Sequence, residues 1–214
     1  MLEAMIGGGP AKKFYFDLNF EQDVIGSKII TDHGSSGVIL TRTANASAVG
    51  DGVVDDPVFG KCYKFDGTSY FIGSKALKIY DKQYRMRLKF VPNTTASRSV
   101  IEAGNFPSAG NIKAGWNLSI NQFPQTYFQM FMTTASGQYA RILPTGVNPG
   151  NAVLEDIEIT RIGSTITVKN LRTGQQASST FNPGGENTIY IGGSYSAGAT
   201  FIGLLKLFQV EILT

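Results

Sequence analysis

Tyr84-Arg85-Met86-Arg87-Leu88-Lys89-Phe90 alternates without a break and runs on into Val91-Pro92. Successive side chains of an extended chain point to opposite faces, so Tyr84, Met86, Leu88 and Phe90 share one side while Arg85, Arg87 and Lys89 share the other. One face is core and the other meets water. The same period organises Phe14, Phe16, Leu18 and Phe20 against Tyr15, Asp17 and Asn19. Weaker versions recur at 38–41, 63–65, 70–72, 100–102, 116–120, 127–132, 139–143, 156–162, 165–168, 188–191 and 204–213. About a dozen short strands separated by Gly, Pro, Asn and Ser clusters predict an all-β sandwich or barrel. Arg161-Ile162-Gly163-Ser164-Thr165 predicts a tight hairpin, because Gly-Ser supplies the positive φ of a two-residue turn. Only Ser74–Tyr80 reads as a helical piece. Tyr70-Phe71-Ile72-Gly73-Ser74 is echoed by Tyr190-Ile191-Gly192-Gly193-Ser194, which falls short of a repeat.

Composition narrows the function classes. The 214 residues, 42% hydrophobic, suffice for one sizeable core. Only 16% are charged, against about 25% in ordinary soluble domains. A net charge of +3 with no Lys/Arg block argues against a nucleic-acid partner. No apolar run reaches the roughly 18 residues of a membrane span, so no membrane is expected. Met1 to Pro10 lacks the basic start and apolar centre of a signal peptide. One cysteine, Cys62, and one histidine, His33, exclude an intramolecular disulfide and a Cys/His zinc site. Folding in a reducing cytoplasm is expected. The glycine run at 7–9 marks residues 1–13 as a flexible N-terminal arm, followed by a single domain over 14–214.

A family resemblance rests on an ordered series of short pieces. Phe65-Asp66-Gly67-Thr68-Ser69-Tyr70-Phe71 precedes the Tyr84–Pro92 strand, and Gly115-Trp116-Asn117-Leu118-Ser119-Ile120 comes next. Ile157-Glu158-Ile159-Thr160-Arg161-Ile162-Gly163-Ser164-Thr165-Ile166, Ile189-Tyr190-Ile191-Gly192-Gly193 and Phe201-Ile202-Gly203-Leu204-Leu205 then follow in order. The series resembles a laminin-G-like domain of the concanavalin A-type lectin and glucanase superfamily, from about Phe14 to Ile212. The resemblance implies a two-sheet antiparallel jelly-roll sandwich whose last strand returns beside the first. It also implies that the Tyr84–Val91 strand lies beside Asp156–Ile162. Arg85, Arg87 and Lys89 would then meet Asp156 and Glu158, each exposed pair worth roughly 0.2–1 kcal/mol.

Candidate sites follow from the chemistry of glycans and cations. Retaining glucanases of this superfamily carry E-x-D-x-E on one strand. Here Leu154-Glu155-Asp156-Ile157-Glu158 places Leu154 where the nucleophile would stand and sends Glu155 to the opposite face, so no catalytic residue is assigned. His33 lies in a turn-forming loop with no nucleophile motif. Laminin-G-like domains often hold calcium, which wants six to eight oxygens, and the best set of acids is Asp51, Asp55 and Asp56. The same acids beside Gly52 and Pro57 equally read as turn formers. Sugar binding needs an exposed aromatic with nearby amides or hydroxyls. Trp116 alternates with Leu118 and Ile120 and belongs to the core, its indole N–H seeking a buried acceptor. Tyr195, Phe106 and Asn105 occupy loops, and Arg85 with Arg87 forms a cationic stripe, so these are the candidate ligand contacts.

A fold that usually works outside cells, without a signal peptide or paired cysteines, fits a bacteriophage virion protein. Such a protein folds in the host cytoplasm and acts after lysis. The expectation is a non-enzymatic structural protein of a tail, baseplate or capsid. It would dock on other virion proteins or on itself through the N-terminal arm, and attach to cell-surface polysaccharide. The alternatives are a carbohydrate-binding lectin module and, behind it, a glycoside hydrolase.

Overall fold

The computed structural model describes residues 14–44, 50–93, 98–105, 113–121, 127–134, 136, 138–143, 152–182, 184–185, 188–193 and 200–214. The expected arm, residues 1–13, lies outside them. Among the described residues the chain forms fifteen strands: β1 (Phe16–Asn19), β2 (Leu40–Ala44), β3 (Gly52–Asp56), β4 (Gly60–Asp66), β5 (Ser69–Gly73), β6 (Gln83–Pro92), β7 (Arg98–Asn105) and β8 (Lys113–Asn121) come first. β9 (Tyr127–Thr133), β10 (Tyr139–Ile142), β11 (Glu155–Ile162), β12 (Thr165–Asn170), β13 (Gln176–Thr180), β14 (Tyr190–Ile191) and β15 (Ile202–Leu213) complete the series.

They form two antiparallel sheets packed face to face. The eight-stranded sheet runs β13-β12-β11-β6-β15-β4-β3, with β1 also on β15, and the seven-stranded sheet runs β10-β9-β8-β7-β14-β5-β2. The last strand does return beside the first, with Phe16 opposite Val210 and Leu18 opposite Phe208. β6 does lie beside β11. At Lys206 the register of β15 against β6 slips by one residue. That bulge separates the part of β15 bonded to β4 from the part bonded to β1. The Lys206 ammonium fills the corner, donating to the Phe59 carbonyl at 2.7 Å.

The inward residues form one core. Phe16, Phe65, Phe90 and Phe208 from one sheet meet Phe71, Trp116, Leu118 and Phe128 from the other, all buried. Ring pairs such as Phe90 with Phe128 at 5.8 Å and Trp116 with Phe208 at 6.5 Å join the layers, at separations favoured by tilted aromatic pairs. The hairpin turn is formed as expected, with Gly163 at φ +58° and Ile162 opposite Thr165.

Three expectations need correction. Ser74–Tyr80 is not helical: Leu77 and Ile79, two residues apart, both reach the core, and Lys78 between them has φ +57°. Phe20 leaves β1 and joins the short 3-10 turn Phe20–Gln22, capped by the Asn19 carboxamide. The acidic stretch 51–56, read as a loop, is mostly strand β3. The Phe65–Phe71 motif earns its sequence by turning the chain from one sheet into the other. The Asp66 carboxylate accepts from the Thr68 amide at 2.9 Å, and Gly67 adopts φ +85°.

Candidate functional site

The outward face of the eight-stranded sheet carries the cationic stripe, and every stripe residue meets an acid. Arg87 clamps Asp156 with two bonds, Nε to Oδ1 at 3.0 Å and Nη2 to Oδ2 at 2.8 Å. Lys89 lies 3.3 Å from the same carboxylate. Arg85 lies 3.6 Å from Glu158 and donates to Glu211 at 3.3 Å. Burial raises the Asp156 pKa, but the bonds and charge of Arg87 outweigh it and hold the carboxyl below its usual range. A cavity of about 160 Å³ among Phe14, Arg85, Arg87, Glu158, Gln209 and Glu211 thus holds as many acids as bases. As a ligand site for Arg85 and Arg87 it offers no excess of charge to an acidic glycan.

The three acids weighed for calcium are not gathered, which corrects that candidate. Asp51 is buried and its oxygens are spent. It accepts from Arg42 Nε at 2.6 Å and Nη2 at 2.7 Å, from the Tyr63 hydroxyl at 2.8 Å and from Ser69 at 2.7 Å. Burial raises its pKa, but these bonds and the Arg42 charge hold it far below the normal carboxylate range. The group stitches the sheets, since Arg42 and Ser69 belong to one and Tyr63 to the other. Asp56 caps its own turn, accepting from the Val58 and Phe59 amides at 2.9 and 3.0 Å. Among the described residues no group of three or more His, Cys, Asp or Glu could hold a metal ion. Asp55 and Asp56 instead line a groove of about 620 Å³ with Val54, Phe59, Val91 and Leu204. That volume is within the range of small-molecule sites.

The other outward face, on the seven-stranded sheet, was not foreseen. Ile101, Leu118 and Met130 point into the core, so their neighbours Glu102, Asn117 and Gln129 point out. Asn117 donates from one amide nitrogen to Glu102 at 2.9 Å and to Ser99 at 2.7 Å. Gln129 donates to Ser119 at 3.0 Å. Of these outward-facing groups Glu102 is buried to 1% exposure and Gln129 to 7%, while Asn117 is half-buried. The Gln129 carbonyl oxygen has no partner among the described residues. Aromatic rings flank the row. Tyr190 stands opposite Glu102, with the Tyr70 ring 6.3 Å from its own. Asn117 stands opposite Phe131, whose face carries the Arg141 guanidinium at 5.3 Å.

The two echoed segments explain the tyrosine pair. β5 and β14 are adjacent strands, with Tyr190 opposite Ile72. The glycines that follow are required by contact: a Cβ at Gly193 would lie 2.7 Å from Tyr70, and one at Gly192 would lie 2.1 Å from the Phe65 ring. The echo was the signal that could have found this face. Tyr195 and Phe106 lie outside the described residues. Asn105 ends β7 opposite Lys113, and its side chain is likewise outside them. Trp116 is core, as expected, but its indole N–H finds no acceptor among the described residues. His33 donates its backbone N–H to the Asp17 carbonyl at 2.9 Å, with its ring 3.7 Å from Asp23.

No family model matches the sequence, and no curated protein matches it. Solved structures do match the fold. Domain 4 of AbnA, a GH43 extracellular arabinanase from Geobacillus stearothermophilus, in complex with arabinotriose, has TM-score 0.65 and 15% identity, covering 96% of each chain. The botulinum neurotoxin serotype D binding domain has TM-score 0.63 and 11% identity over 94% of this chain and 49% of that one. The enzymatically active domain of bacteriophage CBA120 tailspike protein 2 has TM-score 0.57 and 13% identity, over 92% of this chain and 31% of that one. The chain thus spans about half of the toxin domain and under a third of the tailspike. At these identities the likeness is one of fold: an all-β sandwich.

Proposed function

We propose that this chain is a non-catalytic sandwich of the laminin-G-like, concanavalin A-type kind, part of a bacteriophage particle, which attaches to surface polysaccharide through the outward face of its seven-stranded sheet. The observation that carries the reading is the half-buried Asn117 amide, held by the buried Ser99 and Glu102, with the Ser119–Gln129 pair beside it and the rings of Tyr70, Tyr190 and Phe131 flanking it. Fixed acceptors and amides orient sugar hydroxyls, and ring faces cover the apolar faces of pyranoses and furanoses. The row carries one carboxylate, Glu102, with one guanidinium, Arg141, beside it, so no net charge favours an acidic glycan over a neutral one. Similar sandwiches include one in complex with arabinotriose and one within a phage tailspike.

The non-catalytic part rests on the carboxylates. Hydrolysis needs a free pair flanking the bond, whereas Asp156 and Glu158 are held by arginines on the other sheet. The groove at Phe59, lined by both apolar and charged side chains, supports a second role in the same particle, docking on a neighbouring virion protein.

A glycan array, followed by calorimetry on the hits, tests the reading. Binding of a neutral oligosaccharide that disappears in Tyr190→Ala is the expected result. Absence of binding at millimolar sugar would remove the attachment role, and glycan turnover abolished by Glu158→Gln would remove the non-catalytic one.

A further inference from the structure

We propose that strand β13 is a self-association edge. Two copies of the chain pair antiparallel along it, about a two-fold axis centred on Ser178, so that their eight-stranded sheets join into one.

Along an antiparallel ladder, residues alternate between those whose N–H and C=O bond the neighbour and those whose groups point away. Phe181 donates to the Ser164 carbonyl at 3.1 Å and Asn170 donates to the Gln175 carbonyl at 2.8 Å. With Thr165 opposite Thr180 and Lys169 opposite Gln176, these two bonds assign Ala177 and Ser179 to the β12 side. Gln176, Ser178 and Thr180 therefore aim their backbone groups outward. All three are exposed. Among the described residues β12 is the one strand paired with β13, which ends the eight-stranded sheet.

The other strand edges are managed. β1 is covered by the 32–35 segment, where His33 donates to the Asp17 carbonyl and Ser35 to the Phe14 carbonyl. β3 is covered at Val53, which exchanges backbone bonds with Gly26 and Ser27, and it ends in Asp55 and Asp56. On β2 and β10 the same register argument turns outward the backbone groups of Arg42 and Arg141, respectively. Charge, cover and proline are the usual protections of an edge. The run Gln176-Ala177-Ser178-Ser179-Thr180-Phe181 has no charge, no proline and no glycine.

A second copy suits this edge better than another partner because the edge is self-complementary. A two-fold interface sets the same patch against itself, so a charge at its centre would oppose its own image. Centred on Ser178, the register sets Ser178 against Ser178 and Gln176 against Thr180. Each such pair exchanges both backbone bonds, and only neutral side chains meet.

Sedimentation of the full chain across the micromolar range tests the proposal. A dimer that forms with concentration is expected. Ser178→Pro should weaken it by at least about tenfold without loss of fold, since that N–H serves no internal bond and proline is tolerated on such an edge. Ser178→Lys, which keeps the backbone intact and opposes two ammonium groups, should weaken it likewise and decides the matter should the proline variant not fold. Removal of residues 1–13 should leave the dimer in place. A wild-type chain that stays monomeric, a dimer that survives both substitutions, or a dimer lost with residues 1–13 would overturn the proposal.

Discussion

The two outward faces of the sandwich handle polar groups in opposite ways. On the eight-stranded sheet, Arg85, Arg87 and Lys89 pair with Asp156, Glu158 and Glu211, and the arginines are about two-fifths exposed. On the seven-stranded sheet, Glu102, Ser99, Ser119 and Gln129 are almost wholly removed from water. The first face pairs its charges, although Arg85 Nε makes no hydrogen bond among the described residues, and costs little to build, because those charges keep much of their hydration. The second is expensive, since each buried polar atom must find a partner or lose its hydration for nothing.

That contrast can be broken in four places. The interior sets the upper bound: Asp51→Ala should cost about 3–5 kcal/mol, because it strands Arg42, Tyr63 and Ser69 between the sheets. Chemical denaturation would measure it. The same carboxyl sets a pH dependence of known sign. Its folded pKa is depressed, so its contribution is complete above the unfolded value near 3.8 and is lost as the pH falls below that value towards the folded one. Wild type should lose stability in acid more steeply than Asp51→Asn.

Next in size, Glu102→Ala should cost about 1–3 kcal/mol by removing the charged acceptor of the half-buried Asn117 amide. A cost indistinguishable from that of a surface change would place the row in water and erase the difference between the faces. Tyr190→Ala should weaken glycan binding by about thirtyfold, as loss of a central aromatic anchor does, while Arg87→Ala leaves it unchanged. The smallest effect belongs to the ladder. Arg87→Ala should cost at most about 1 kcal/mol, with the loss shrinking as salt is added.

Much of this fold was legible because a strand with one wet face writes its period into the sequence. Tyr84 to Phe90 declared both its core side and its charged side, and the β6–β11 ladder followed from the family resemblance. β13 and β3 were not legible. Gln176-Ala177-Ser178-Ser179-Thr180 has no large apolar residue to mark a period, and Val53-Val54-Asp55-Asp56 breaks the alternation because the buried Val53 is followed by a half-buried Val54 that stands opposite Cys62. Ser74–Tyr80 misled because Leu77 and Ile79 reach the core from an extended segment. The candidate site was harder still. Arg85 and Arg87 announced themselves as a stripe, but nothing in the sequence said that strand pairing would neutralise them. Glu102, Asn117 and Gln129 lie on three strands and meet only through sheet register, which a single sequence does not display. The Tyr70 and Tyr190 echo was the one trace of that face, and it became meaningful once β14 was seen beside β5.

Side-chain amide and guanidinium resonances allow both faces to be watched in one titration. With a neutral oligosaccharide such as arabinotriose, or the best hit of the array, the Asn117 and Gln129 amide signals should shift while the Nε signals of Arg85 and Arg87 stay still. Shifts confined to the arginines, with Asn117 and Gln129 unmoved at saturation, would contradict the assignment of the binding face.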